Sequence, residues 1–252
     1  MKANKNTRRN FLKISGASAL GLAVAPAQAS SNQEPIEKLK VVVVGAHPDD
    51  PESMCGGTII VLTGQGHDVV SAYLTRGEAG IPGKSHEDAS KIRTAEAIEA
   101  CKIMNAKPEF LTQIDGSSEI TPARYKEVHD FLKKENPDIV FTHWPIDTHR
   151  DHRICSMLIY DAWLYSGKKY ALYYCEAMSG MQSQNFNPTN YVDISEVIDK
   201  KHAACNVHKS QDVKEWYETS HGRMEIFRGM ESGYKFAEAF VLQNQSPDSR
   251  LI

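Results

Sequence analysis

The sequence lacks several patterns that define large classes of proteins. Its five cysteines are odd in number and show no C-x-x-C spacing, so nothing indicates a disulfide framework. No stripe of basic residues is present, which argues against nucleic acid as a partner. No internal repeat, low-complexity segment or linker divides the chain. What is left is an ordinary globular chain of 252 residues, 41% hydrophobic and 24% charged, long enough for one sizeable core.

The first 29 residues have a different composition from the rest. They carry five basic residues and no acidic one, then an apolar run at 14–26 and the small-residue segment Ala-Gln-Ala at 27–29. This order is typical of an export signal peptide, and the apolar run is too short to span a bilayer stably. The residues around Arg8 and Arg9 further resemble a twin-arginine export signal.

Removal of that signal would leave 24 basic and 32 acidic residues, a net charge of −8. No cysteine precedes Cys55, so no lipoprotein attachment site follows the signal. We therefore expect a periplasmic or extracellular protein without a stable membrane span. The predicted division is a signal peptide at 1–29, a flexible N-terminus at 30–38, a single domain at 39–245 and a tail at 246–252.

Strand and helix patterns alternate from residue 39 onward. Four valines at 41–44, bounded by Gly45, predict a strand buried on both faces, as in a parallel sheet. Further strands are predicted at 68–75, 109–113, 138–142, 170–177, 191–194 and 233–242, and helices at 52–65, 86–105, 122–135, 151–165 and 195–207. This order predicts an α/β fold, a Rossmann-like three-layer sandwich with a mostly parallel sheet and helices on both faces.

Two of the predicted strands end in clusters of histidine and aspartate. The first strand is followed by His47, Asp49 and Asp50, and Pro51 suits the first turn of a helix capped by Asp50. The strand at 138–142 is followed by HWPIDTHRDHR, whose ligand-type residues are His143, Asp147, His149, Asp151 and His152. Because two separate strand ends carry both residue types, the pattern indicates a metal site rather than two helix caps.

A hydrolytic metal site needs three protein ligands and one position open to water. His47, Asp50 and His152 would supply two imidazoles and one carboxylate. Asp49 is then the candidate general base, and His149, oriented by Asp151, would stabilise charge on the carbonyl oxygen and protonate the leaving amine. We expect Zn²⁺, although the same donors also suit Fe²⁺ or another divalent metal.

Four motifs together resemble the PIG-L/LmbE family of zinc-dependent de-N-acetylases. They are HPDD at 47–50, RxxE at 93–96, HxDH at 149–152 and HxSQ at 208–211, and the similarity extends over nearly all of 39–242. The resemblance implies a Rossmann-like fold and removal of acetyl groups from N-acetylglucosamine-type sugars or glycoconjugates. It implies that His47, Asp50 and His152 bind zinc, that Asp49 is the general base, that His149 polarises the intermediate, and that Arg93 contacts substrate.

The chain departs from the family pattern in two places. Many members read HPDDE, whereas here Pro51 and then Glu52 follow the aspartates. Members often carry a tyrosine in YxEAF, whereas this chain has Phe236 there, with Tyr234 as a candidate substitute.

Three other functions are alternatives to the deacetylase. A dinucleotide-binding module is disfavoured because the turn reads GAHPDD and not G-x-G-x-x-G. A non-catalytic exported sugar-binding protein and an amidase acting on a non-sugar amide stay open. The sequence indicates neither the particular sugar nor the oligomeric state.

Other segments are predicted from their composition alone. The glycine-rich loop at 76–85 is expected to be mobile and to border the site. Five further histidines are expected at the surface or on helices without a role in the chemistry, namely His67, His86, His129, His202 and His221.

Overall fold

The computed structural model of the protein describes residues 37–247, which lie within one compact unit, Glu37–Ile252. Its centre is a seven-stranded sheet with the order β3-β2-β1-β4-β5-β7-β6. The strands are β1 (Lys40–Gly45), β2 (Asp68–Tyr73), β3 (Lys107–Phe110), β4 (Ile139–His143), β5 (Ala171–Cys175), β6 (Asn190–Asp193) and β7 (Ala237–Leu242). β7 alone runs antiparallel to its neighbours. The predicted α/β fold with a mostly parallel sheet is confirmed.

Helices cover both faces of this sheet. They are α1 (Asp50–Gly64), α2 (His86–Met104), α3 (Pro122–Glu135), α4 (Arg150–Tyr165), α5 (Ile198–Cys205), α6 (Val213–Trp216) and α7 (Gly222–Ser232). Val41 and Val43 pack with α1, α2 and α5, whereas Val42 and Val44 pack with α3 and α4. All four valines are fully buried, as expected for a strand with a hydrophobic layer on each side. None of the described helices is both long and apolar enough to cross a membrane.

Some predicted boundaries were wrong. Asp50 does not cap α1 but is its first residue, and Asp49 occupies the cap position with φ 110°. The Asp50 carboxylate turns back toward the strand end, where it accepts a hydrogen bond from the backbone N of His47 at 2.6 Å. The predicted signal peptide, part of the predicted N-terminus and part of the tail lie outside the described residues.

A helical segment between residues 213 and 232 was not predicted. It consists of α6, a π turn (Tyr217–His221) and α7, which ends at Gly233 in a left-handed conformation, φ 83°. α7 leaves Phe227 and Met230 exposed by 48% and 75%, so its apolar residues do not form one clean buried stripe. The strand predicted from 233 therefore begins only at Ala237.

Candidate active site

The two histidine–aspartate clusters meet because β1 and β4 are adjacent parallel strands. Val44 pairs with Thr142 in the register, so the residues that follow both strands emerge side by side. A direct bond joins the two turns, from the backbone N of Ala46 to His143 Nε2 at 3.0 Å. α1 and α4 begin here, at the edge where open α/β sheets usually bind their ligands.

Asp50 lies at the centre of this cluster. Its Oδ2 is 3.3 Å from His47 Nδ1, and its Oδ1 is 3.4 Å from His152 Nε2. Oδ2 is also 3.2 Å from Nε2 of the buried His143, a member of the second cluster that was not among the three predicted metal ligands. The three predicted metal ligands are thus brought together, with the carboxylate between the two imidazoles.

A second layer of carboxylates stands behind these histidines. His47 Nε2 lies 3.2 Å from both Asp115 Oδ1 and Asp151 Oδ2. His152 Nδ1 lies 3.3 Å from Asp147 Oδ1. Each imidazole therefore has one nitrogen toward Asp50 and the other toward an outer carboxylate, the arrangement that orients histidine ligands in metal sites.

Asp151 supports a different residue from the one we expected. Its carboxylate contacts His47 and accepts a hydrogen bond from the backbone N of Gly116 at 2.7 Å. His149 is instead the cap residue of α4, and its Nδ1 accepts the backbone N–H of Asp151 at 3.3 Å. Main chain, and not the Asp151 carboxylate, therefore fixes which His149 nitrogen points away from the helix.

Within residues 37–247, three sets of donors are close enough to hold a metal ion, each with ligand atoms within 4.8 Å of one another. They are His47, His149 and His152; Asp50, His143 and His152; and His47, Asp115 and Asp151. The predicted ligand set draws on the first two. His149 lies in the first, with its ring centroid 4.7 Å from that of His47. Position alone therefore leaves His149 as a further donor.

Neighbouring opposite charges outweigh burial in setting the pKa values of Asp50 and His152. Burial raises the pKa of Asp50, but His152 and His143 outweigh this effect and hold it well below its usual range. Burial likewise lowers the pKa of His152, yet Asp50 and Asp147 raise it to about 9. His47 Nδ1 and His152 Nε2 face the Asp50 carboxylate, and the other nitrogen of each ring faces an outer carboxylate. Two imidazoles oriented in this way around one carboxylate are a donor set that fits a divalent cation.

Asp49 lies beside the cluster and is held by Arg93. Arg93 Nη2 donates to Asp49 Oδ2 at 3.0 Å and to the carbonyl of Pro48 at 2.5 Å. Burial, together with the Asp50 carboxylate, raises the pKa of Asp49 despite this guanidinium. The Arg93 side chain is only 4% exposed, although it lines the cleft. Its observed contacts therefore position Asp49.

The glycine-rich loop borders the site, and the reason is steric. A Cβ atom at Gly77 or Gly80 would collide with the guanidinium of Arg93. The HxSQ motif closes over the same region, because Gln211 Nε2 donates to the Gly80 carbonyl at 3.0 Å. Ser210 bonds Glu96 of the RxxE motif through its backbone N at 2.9 Å and its hydroxyl at 2.6 Å. Two motifs that are distant in sequence thus form one support behind Asp49.

The residues at which the chain departs from the family pattern, Glu52, Phe236 and Tyr234, do not line the cleft within the described part of the chain. Glu52 is fully buried and accepts a hydrogen bond from the Tyr73 hydroxyl at 2.5 Å. His208 lies 3.6 Å from Glu52, entirely buried. Tyr234 precedes β7, is 44% exposed, and is not among the described residues that line the cleft.

The cleft above the cluster has a volume of about 270 Å³. Its floor includes His47, Asp50 and His152, with Asp49 and Arg93 on one side. Asp115 was not predicted as a site residue, because no histidine lies beside it in the sequence. Its only signal was its position after β3, at the end of a parallel strand. His221 was predicted to lie at the surface or on a helix without a role in the chemistry; it does lie in a helical turn, but it is only 9% exposed and lines the cleft.

These observations define an α/β protein with a buried histidine–aspartate centre at the carboxyl edge of a parallel sheet. Residues 42–163 match the family model described as PIG-L, GlcNAc-PI de-N-acetylase. The chain belongs to this family.

Individual relatives agree with that assignment. The chain is 31% identical to the diacetylchitobiose deacetylase of Thermococcus kodakarensis over 219 residues, 79% of this chain and 81% of the relative. It is 28% identical over 196 residues to the probable N-acetyl-alpha-D-glucosaminyl L-malate deacetylase 2 of Bacillus cereus, 73% of this chain and 89% of that protein. A structure of the N,N'-diacetylchitobiose deacetylase of Pyrococcus horikoshii, complexed with its inhibitor MPG, superposes with a TM-score of 0.73. That pair is 25% identical and covers 87% of this chain and 91% of the other.

Proposed function

We propose that the protein is a metal-dependent hydrolase that removes the acetyl group from an N-acetylated amino sugar. The observation that carries this proposal is the position of Asp50 between His47 and His152, with Asp49 beside them at the floor of the cleft. The names of the two curated relatives, both deacetylases of N-acetylated sugars, support this class of substrate.

In this proposal His47, Asp50 and His152 hold the cation, which we expect to be Zn²⁺, with Fe²⁺ or another divalent metal as the alternative. The bound ion supplies Lewis acidity, which lowers the pKa of water and polarises an amide carbonyl. The second layer formed by Asp115, Asp151 and Asp147 keeps the imidazoles oriented.

Asp49 acts as the general base. Its carboxylate lines the cleft, and Arg93 fixes one of its oxygens, so Asp49 can accept a proton from a water molecule without moving. We propose that Arg93 acts mainly by positioning Asp49, in addition to the direct contact with substrate that the family resemblance implies.

His149 stands where it can face the carbonyl oxygen. Its Nδ1 is occupied by the backbone N–H of Asp151, which leaves Nε2 available to donate a hydrogen bond. Such a donor stabilises the negative charge that develops on oxygen. Because Nδ1 accepts the backbone N–H, the ring is neutral and cannot also protonate the leaving amine; that proton is the one that Asp49 takes from water.

The test is acetate release by purified mature protein loaded with Zn²⁺, measured on a panel of N-acetylated mono- and oligosaccharides. The panel also contains non-sugar N-acetyl amides. We expect hydrolysis of at least one sugar, abolished in Asp49→Asn. Hydrolysis of non-sugar amides alone would favour the amidase, and sugar binding without hydrolysis would favour a binding protein.

We also propose that the protein is exported through the twin-arginine route. The basis is the arrangement of charged, apolar and small residues in the first 29 positions. Replacing Arg8 and Arg9 by lysine keeps the charge, and should retain the protein in the cytoplasm when the cells are fractionated. Unchanged export of the double variant would indicate the general secretory route.

A further inference from the structure

One wall of the cleft takes no part in the chemistry proposed above. It is formed by the C-terminal part of the chain, through Cys205, Gln211, Val213 and His221. The family model ends at residue 163, so this wall lies outside the matched region. The side chains of this wall are therefore candidates for selecting the substrate of this protein.

His221 is the imidazole side chain of this wall. It ends the π turn that joins α6 to α7, and its ring packs 5.5 Å from the ring of Tyr217. The Tyr217 hydroxyl is in turn 2.8 Å from Cys205 Sγ, which fixes the rear of the wall. Among the side chains that the structure describes between residues 37 and 247, none forms a hydrogen bond with the His221 imidazole. Because the ring lines the cleft, its nitrogens can bond a molecule that is held there.

The surroundings of His221 keep its ring uncharged. Burial and the positive charge of Lys201 lower its pKa to about 4. Lys201 itself is neutralised by Glu225 and Glu238, each with an oxygen 2.7 Å from its Nζ. The other oxygen of Glu225 lies 2.8 Å from His202. These carboxylates are thus already engaged, and at neutral pH His221 offers one donor and one acceptor.

We infer that His221 contacts substrate and sets specificity, by exchanging hydrogen bonds with a hydroxyl group of the sugar ring. A hydroxyl both donates and accepts, which matches the two nitrogens of this imidazole. The amide itself is expected at the floor, near Asp49 and His149, so the polar wall is left for the remainder of the sugar. This inference rests on the proposed function.

Two substitutions separate recognition from packing. His221→Phe keeps an aromatic ring beside Tyr217 but removes both hydrogen-bonding groups, whereas His221→Gln keeps a donor and an acceptor. The matched control is His202→Gln, because His202 also contacts Tyr217, at 4.6 Å between ring centroids, and pairs with Glu225. His202 does not line the cleft within the described residues.

We would measure kcat/KM on an N-acetylated sugar that the wild type hydrolyses and on its monodeoxy analogues. His221→Phe should lower kcat/KM about tenfold on the parent sugar, the usual scale of one net hydrogen bond, and change it little on the analogue that lacks the contacted hydroxyl. His221→Gln should recover part of the loss, and His202→Gln should leave the selectivity unchanged. Zinc content and melting temperature are measured for each variant.

A second readout does not depend on turnover. Addition of the sugar to metal-free protein with isotope-labelled histidine should shift the His221 ring signals, and His221→Phe should weaken the binding. If the wild type hydrolyses sugars while His221→Phe loses activity equally on parent and deoxy substrates, or loses none, the assignment of His221 is overturned alone. If the wild type neither hydrolyses nor binds any sugar, the proposed function fails together with it.

Discussion

Lys201 is the buried charge whose removal should cost the fold most. Its ammonium is 2.7 Å from Glu225 Oε1 and from Glu238 Oε1, and the side chain is 2% exposed. Glu238 also accepts hydrogen bonds from the backbone N of Gly57 and Thr58, so the network ties α5, α7 and β7 to α1. Lys201→Met keeps the unbranched stem but leaves two carboxylates in the interior without their cation.

Removal of one partner from a buried ion pair typically costs about 3–5 kcal/mol. Each carboxylate retains other donors, His202 for Glu225 and the α1 backbone for Glu238, so we expect the lower end, about 3 kcal/mol. For a chain of this size that corresponds to a fall in Tm of about 6–12 °C.

The assay is urea unfolding of metal-free protein, followed by circular dichroism, with Lys200→Met as control. Lys200 is the exposed neighbour of Lys201 on the same helix, so its replacement should change stability by no more than about 0.5 kcal/mol. Adding Glu225→Gln to Lys201→Met should restore part of the loss, because it removes one of the uncompensated charges. Equal stabilities of Lys201→Met and Lys200→Met would refute the view that this network stabilises the fold.

Three further predictions concern the cleft. Asp49→Asn should abolish hydrolysis at nearly unchanged zinc content, whereas Asp50→Asn should lose the metal; elemental analysis showing the reverse would exchange their roles. His152→Ala should lose both metal and activity, whereas His149→Ala should keep the metal and lose about 10²- to 10³-fold in kcat, the scale for one oxyanion donor; equal metal loss in both would make His149 a ligand. His221 has a folded-state pKa of about 4, below the value of about 6.5 for the unfolded chain, so its contribution to stability is complete above pH 6.5 and is lost as the pH falls toward 4. Metal-free wild type should therefore lose up to about 3 kcal/mol more than His221→Gln over this range, and parallel pH curves would contradict the burial of a neutral ring.

That the two histidine–aspartate clusters meet at the floor of the cleft could be predicted from the sequence, because local patterns determine it. His-Pro-Asp-Asp after a valine strand could also be a turn and a helix cap, but a second histidine–aspartate cluster follows another strand. Two parallel strands that are neighbours bring their carboxyl ends together. The contacts of the individual residues within the cluster were harder to predict from the sequence. That the Asp151 carboxylate serves His47 and not the neighbouring His149 depends on where the first turn of α4 points, and no spacing rule gives that direction.

The position of His221 in the wall of the cleft does not follow from local sequence patterns. His221 has no motif around it, and it is the last residue of a π turn, whose extra residue changes the direction of side chains relative to a regular helix. Read as an ordinary helix with a weak apolar stripe, the segment gives no reason to turn His221 inward. What turns it inward is packing against Tyr217 and the buried Lys201 network, both of which are contacts between distant elements. The floor follows from strand order, whereas the wall depends on these long-range contacts, so two proteins of this family could share the chemistry and still select different sugars.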